Sequence, residues 1–170
     1  LKWDNIDLTK QDAIESKCVY IDVPTVSKKA KTEAKTKTKS KAKTVSLNAL
    51  GHSLGHALGA VAHLPHGLCM NLFLPYVLEY NKQVNGQKIG ELLLPLAGAD
   101  IYAQTPATQR ADRAITTILA MRDRLFSLTK LPRTLRETGK VTEAQLDEVA
   151  EKALNDGSII YNPKEASLKD

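Results

Sequence analysis

The stretch "GHSLGHALGAVAHLPHG", residues 51–67, holds all four histidines of the 170-residue chain, spaced four, seven and three apart. Small and apolar residues occupy nearly every side of residues 45–62. That pattern predicts a buried helix, because a helix apolar all round has no face to give to water. Gly51, Gly55 and Gly59 recur every four residues. Each glycine costs a helix about 1 kcal/mol against alanine, so the stripe predicts close approach of another helix or room for a ligand. Pro65 then ends the helix, since proline has no N–H and clashes with the preceding turn.

Outward from this stretch the chain continues to read as helical. A second apolar helix is predicted over about 67–80, with Pro75 as its kink. Further helices are predicted over 84–97, 107–129 and 143–155. The last opens on Thr142 with Gln145 three residues on, the pattern of a capping box, and Asn155, Asp156 and Gly157 stop it. Ser167 reads as the N-cap of a short final turn. The fold class expected for residues 45–170 is all-α, a helical bundle.

Residues 1–27 read differently. "CVYIDVPTV" has strand-like composition and ends at Pro24, so an irregular or strand-like N-terminal segment is expected. Residues 28–44 form a Lys-rich, low-complexity linker. Within it, 28–43 carries eight Lys against one Glu and no Val, Ile, Leu or aromatic residue to bury, which predicts a solvated segment. This tract's +7 exceeds the whole chain's +5 and leaves −2 for the remainder. The pI near 9 therefore does not describe a basic binding face. A polyanion-binding arm is the competing reading of the tract; it has no interleaved aromatic to stack on bases, and nucleic acid is not an expected partner.

Composition excludes other classes. No apolar run reaches the roughly 18–20 residues of a membrane span, and the charged start, LKWDNIDLTKQD, lacks a secretory apolar region. Two cysteines, Cys18 and Cys69, make no disulfide framework, and a cytoplasmic setting is expected. No GxGxxG or GxxxxGK[ST] cradles a phosphate.

The histidines carry the chemistry. On a helix, His52 and His56 lie about 40° apart on one face, one turn above the other. Beyond the proline break, His66 can turn back to that face, and His63 lies near the same side. Neutral imidazoles suit zinc, iron and nickel. Four of them in 15 residues, amid glycines, predict a metal site, although spacing alone leaves open which of the four are ligands.

Residues 51–81 go further. H-x-x-x-H-x-L-G at 52–59, P-H-G at 65–67, Asn71, L-P-x-V at 74–77 and Tyr80-Asn81 resemble the signature of the iron-containing, group III, alcohol dehydrogenases. "GELLLPLAGADI", "LPRTLRETG" and "DGSIIYNPKEASLKD" extend the resemblance over about residues 45–170. It implies that His52 and His66 are two metal ligands, and that His56 is a histidine beside the metal that orients substrate or moves a proton. His63 falls where that family varies and is read as a non-ligand. The implied metal is Fe(II), with Zn possible in its place. The implied reaction is hydride transfer between a small alcohol and NAD or NADP, giving an aldehyde or ketone, in an enzyme expected to be a homo-oligomer. Cys69 and Asn71 read as packing residues of the second helix.

The match fails upstream. The family has a dinucleotide-binding domain with a G-G-G-S loop, and this sequence contains no such loop. Further ligands come from a D-x-x-x-H element well upstream; the echo of it here, Asp12 followed by Ser16 rather than a histidine and closer to His52 than in the family, is read as accidental. The chain is therefore expected to be the C-terminal, metal-binding half of a dehydrogenase. NAD or NADP would be bound only if a dinucleotide-binding domain or second subunit supplies the site, and the isolated chain is expected to be inactive. The alternative is a non-catalytic helical module that keeps the signature for packing.

Overall fold

The computed structural model describes residues 45–170. The readings made on residues 1–44, the strand-like segment, the Lys-rich linker, Cys18 and the Asp12/Ser16 pair, lie outside the described residues. Those described form an all-α fold. Six α-helices, α1 (Ala49–Ala62), α2 (His66–Glu91), α3 (Leu93–Ala97), α4 (Ala99–Gln104), α5 (Arg110–Thr129) and α6 (Leu146–Leu154), are joined by short 3-10 turns, and no strand occurs among them.

Helix α1 sits at the centre, packed against α2, α6 and the 3-10 turn Gly157–Tyr161. It is apolar on several sides because it has several neighbours. Ala57, Leu58 and Ala62 meet Leu64, Cys69 and Leu72 of the α2 side and Val149 and Ala153 of α6 in one core cluster. A second cluster, Leu78, Ile89, Ala111 and Ile115, joins α2 to α5. Ser53 is fully buried, and its hydroxyl donates to the Ala49 carbonyl at 3.2 Å, which removes the cost of an unpaired polar group.

The glycine stripe serves close contacts. A Cβ at Gly55 would stand 3.0 Å from Met70 Sδ and 3.6 Å from His66 Cε1, so the first turn of α2 packs where a side chain would be. At Gly51 the same space is taken by the side chain of Asn48. Helix α1 ends at His63, whose φ of 52° is left-handed. Pro65 then starts α2, its carbonyl accepting from Leu68 and Cys69 N–H.

Two expectations differ from the structure. Pro75 lies inside α2 without breaking it, and the non-helical dihedrals fall at Asn85 (φ −129°, ψ 29°). The predicted gap after Tyr80 is absent, because Asn81 is fully buried in the helix and its amide is satisfied by other parts of the fold. Tertiary partners here override the tendency of Asn-rich sequence to leave a helix. By contrast, the capping box forms as read: Gln145 Oε1 accepts from the Thr142 N–H at 3.0 Å and from its hydroxyl at 3.0 Å.

Candidate metal centre

His52 and His56 come from successive turns of α1, and His66 is the first residue of α2. The left-handed turn at His63 and the extended Pro65 fold α2 back so that His66 meets the other two. Ring centroids lie 5.9 Å apart for His52 and His56, 5.5 Å for His52 and His66, and 5.1 Å for His56 and His66. One nitrogen of each ring lies within 4.8 Å of the other two. All three side chains are exposed. His52 and His56 line an open groove of about 490 Å³ with Ser46, Ala49, Asp156, Gly157, Ser158 and Tyr161.

The donor set suits a divalent cation. Imidazole nitrogens bind zinc at about 2.0–2.1 Å, which places tetrahedral donors roughly 3.3 Å apart. Exposed rings reach that spacing from within 4.8 Å by side-chain rotation, and the open groove leaves positions for other ligands. Among the described residues no other group of three or more His, Cys, Asp or Glu side chains converges in this way.

Electrostatics favour neutral rings at His52. Its pKa is lowered, first by desolvation and then by the neighbouring His66 and His56, against an opposing pull from Asp156. A ligand must offer a free lone pair, so a lowered pKa keeps His52 ready to bind.

Asp156 is the member that sequence reading missed. Its Oδ2 lies 2.9 Å from His56 Nδ1, across 100 residues of chain. Its Oδ1 accepts the Ser158 N–H at 2.7 Å. The Ser158 backbone, then His56 and the Ser158 side chain, hold its carboxyl at about 2. The D-G-S pattern announces a cap at Ser158, but nothing local announces the reach back to α1.

The other candidates separate cleanly. His63 caps α1 and is not in the group. Cys69 is fully buried in the core and points its thiol at the Leu64 carbonyl, 3.8 Å away, with its pKa raised by that burial. Asn71 Nδ2 is buried and finds no hydrogen-bond partner among the described residues.

With this geometry in view, comparison with known proteins is informative. The model of the Fe-containing alcohol dehydrogenase family, C-terminal part, matches residues 44–170. The chain belongs to the Fe-containing alcohol dehydrogenase family. It is 33% identical over 107 residues to a 1,3-propanediol dehydrogenase of Klebsiella pneumoniae, covering 63% of this chain and 26% of that protein. An NADPH-dependent butanol dehydrogenase of Clostridium saccharobutylicum is 25% identical over 111 residues, 62% of this chain and 26% of that one. A solved 1,3-propanediol oxidoreductase superposes with a TM-score of 0.58 at 32% identity, over 69% of this chain and 29% of its own. The chain thus spans about a quarter of the length of the curated relatives it matches. No described helix is long and apolar enough to cross a membrane.

Proposed function

We propose that residues 45–170 are the metal-binding part of an iron-dependent alcohol dehydrogenase that interconverts a small alcohol and its aldehyde or ketone with NAD or NADP. His52 and His66 are the ligands this part contributes to Fe(II), with Zn(II) an acceptable substitute, and His56 orients the substrate or moves its proton. The observation that carries the reading is the convergence of three imidazoles from two helices within 4.8 Å. His52 and His66 would hold a divalent cation there, which would supply Lewis-acid polarisation of the alcohol or carbonyl oxygen.

The groove beside His52 and His56 admits a small polar substrate, and the family members named for propanediol and butanol support short alcohols or diols as the class. The nicotinamide, which supplies the hydride chemistry, needs a dinucleotide site that no motif of the 170 residues provides. That site is proposed to come from another domain or subunit, in a cytoplasmic homo-oligomer, so that the isolated chain does not turn over.

Elemental analysis of the purified chain, beside the His52→Ala and His66→Ala variants, tests this. Two histidine ligands hold an ion weakly, so iron or zinc bound weakly by the parent, and lost in both variants, supports the reading. A folded parent that takes up no metal, with variants folded as well, leaves a helical module that keeps the signature for packing.

A further inference from the structure

The carboxylate of Asp156 divides its work between two oxygens. Oδ1 accepts the Ser158 N–H at 2.7 Å and so caps the 3-10 turn Gly157–Tyr161. Oδ2 lies 2.9 Å from His56 Nδ1. That turn is itself fixed. The Ser46 N–H donates to the Tyr161 carbonyl at 3.0 Å, and Asn162 is buried against Asn81 and the start of α1. Asp156 is therefore a rigid reference point beside the histidine cluster.

An ionised carboxylate only accepts hydrogen bonds. Asp156 stays ionised far below neutrality. In a neutral imidazole one nitrogen carries the proton and the other a lone pair, and the partner of one decides the state of the other. We propose that Asp156 is the positioning residue of the cluster, fixing His56 as the Nδ1–H tautomer so that Nε2 is the nitrogen His56 offers to metal or substrate. The same arrangement, a carboxylate behind an imidazole, orients rings at metal sites generally. This inference rests on the cluster being the functional site, but its test does not need a bound metal.

Asparagine separates this role from simple capping. An amide that keeps its oxygen on the Ser158 N–H turns its NH₂ toward His56 Nδ1. Nδ1 must then accept, and the ring proton moves to Nε2. Turning the amide over would restore the bond to His56 but set two donors face to face at Ser158. Asp156→Asn therefore keeps the cap and reverses the tautomer.

The test is a long-range ¹H–¹⁵N correlation spectrum of the full, metal-free chain, labelled at histidine and held well above the histidine pKa. In the parent, His56 should show a protonated Nδ1 and a pyridine-type Nε2. In Asp156→Asn the two should exchange, while the tautomer of His63 stays as it was and circular dichroism shows the variant folded. A parent His56 protonated at Nε2, or an Asp156→Asn spectrum with the tautomer unchanged, overturns the proposal. If the variant does not fold, the parent spectrum alone decides. Zn(II) titration of the same parent sample reports separately on the metal reading: no binding sinks that reading and leaves the tautomer result standing.

Discussion

Asn81 and Asn162, 81 residues apart, exchange two side-chain hydrogen bonds, each amide donating to the other's oxygen at 2.9 Å. Both side chains are buried. Asn81 Nδ2 also donates to the Leu47 carbonyl at 3.1 Å, and Asn162 Nδ2 to the Lys164 carbonyl at 2.7 Å. Asn162 Oδ1 accepts the Leu50 N–H at 3.3 Å. Asn48 makes no side-chain cap at the start of α1, so one of the orphan amides there is satisfied from the far end of the sequence.

Replacing Asn162 by alanine leaves Asn81 Oδ1 and the Leu50 N–H without their partners in the interior, while Asn81 Nδ2 keeps the Leu47 carbonyl. Each buried, unsatisfied polar group costs about 1–3 kcal/mol. Asn162→Ala should therefore destabilise the fold by roughly 2–5 kcal/mol on that scale, read as a lower urea midpoint with an unchanged m-value. A loss under about 1 kcal/mol would mean that water reaches the pair.

Glycines 55 and 90 should respond differently to alanine. A Cβ at Gly90 would meet the backbone of α5, at 3.3 Å from Ala111 N and 3.6 Å from Arg110 C, and Arg110 Cβ at 3.0 Å. A helix start cannot give way as a side chain can, so Gly90→Ala should cost about 1–3 kcal/mol despite the gain of about 1 kcal/mol in helix propensity. At Gly55 the nearest atom is Met70 Sδ, on a flexible side chain. Gly55→Ala should stay within about 1 kcal/mol of the parent. Paired urea titrations compare the two.

His63 sits in the left-handed region at φ 52°, where a residue with a Cβ pays about 1–2 kcal/mol. Glycine removes that strain but widens the unfolded ensemble. His63→Gly should raise stability slightly, by up to about 1 kcal/mol, and leave metal stoichiometry unchanged. Loss of metal in this variant would mean that His63 is a ligand.

Asp156 sets an acid limit. Its carboxyl falls from an ordinary 3.8 to about 2 in the folded chain. A folded-state pKa that is depressed contributes stability above the unfolded value and loses it as pH falls through the folded one. Urea midpoints should therefore decline through the window from about pH 4 to pH 2. Asp156→Asn lacks that titration, so the difference between parent and variant should narrow as pH 2 is approached. A constant difference across the window would remove Asp156 as a source of acid sensitivity.

Local signals were legible in the sequence: the helix that closes before Pro65, the Thr142–Gln145 box, and the four-residue spacing of His52 and His56. Each is written within a few residues. The convergence of His66 followed from a proline break whose direction the family resemblance supplied. What stayed hidden depends on distant partners. Asn81 reads as a helix end until Asn162 satisfies its amide, and Asp156 reads as a stop signal until α1 lies beside it. Pro75 reads as a kink, yet α2 runs through it, packed against α1 and α5 on either side of that residue.

The contact between His56 and Asp156 spans 100 residues, and the one between Leu50 and Asn162 spans 112. During synthesis, α1 and its imidazoles leave the ribosome long before the residues that orient and anchor them. The rings of α1 therefore reach their final geometry only after the residue 156–162 segment has been made and packed.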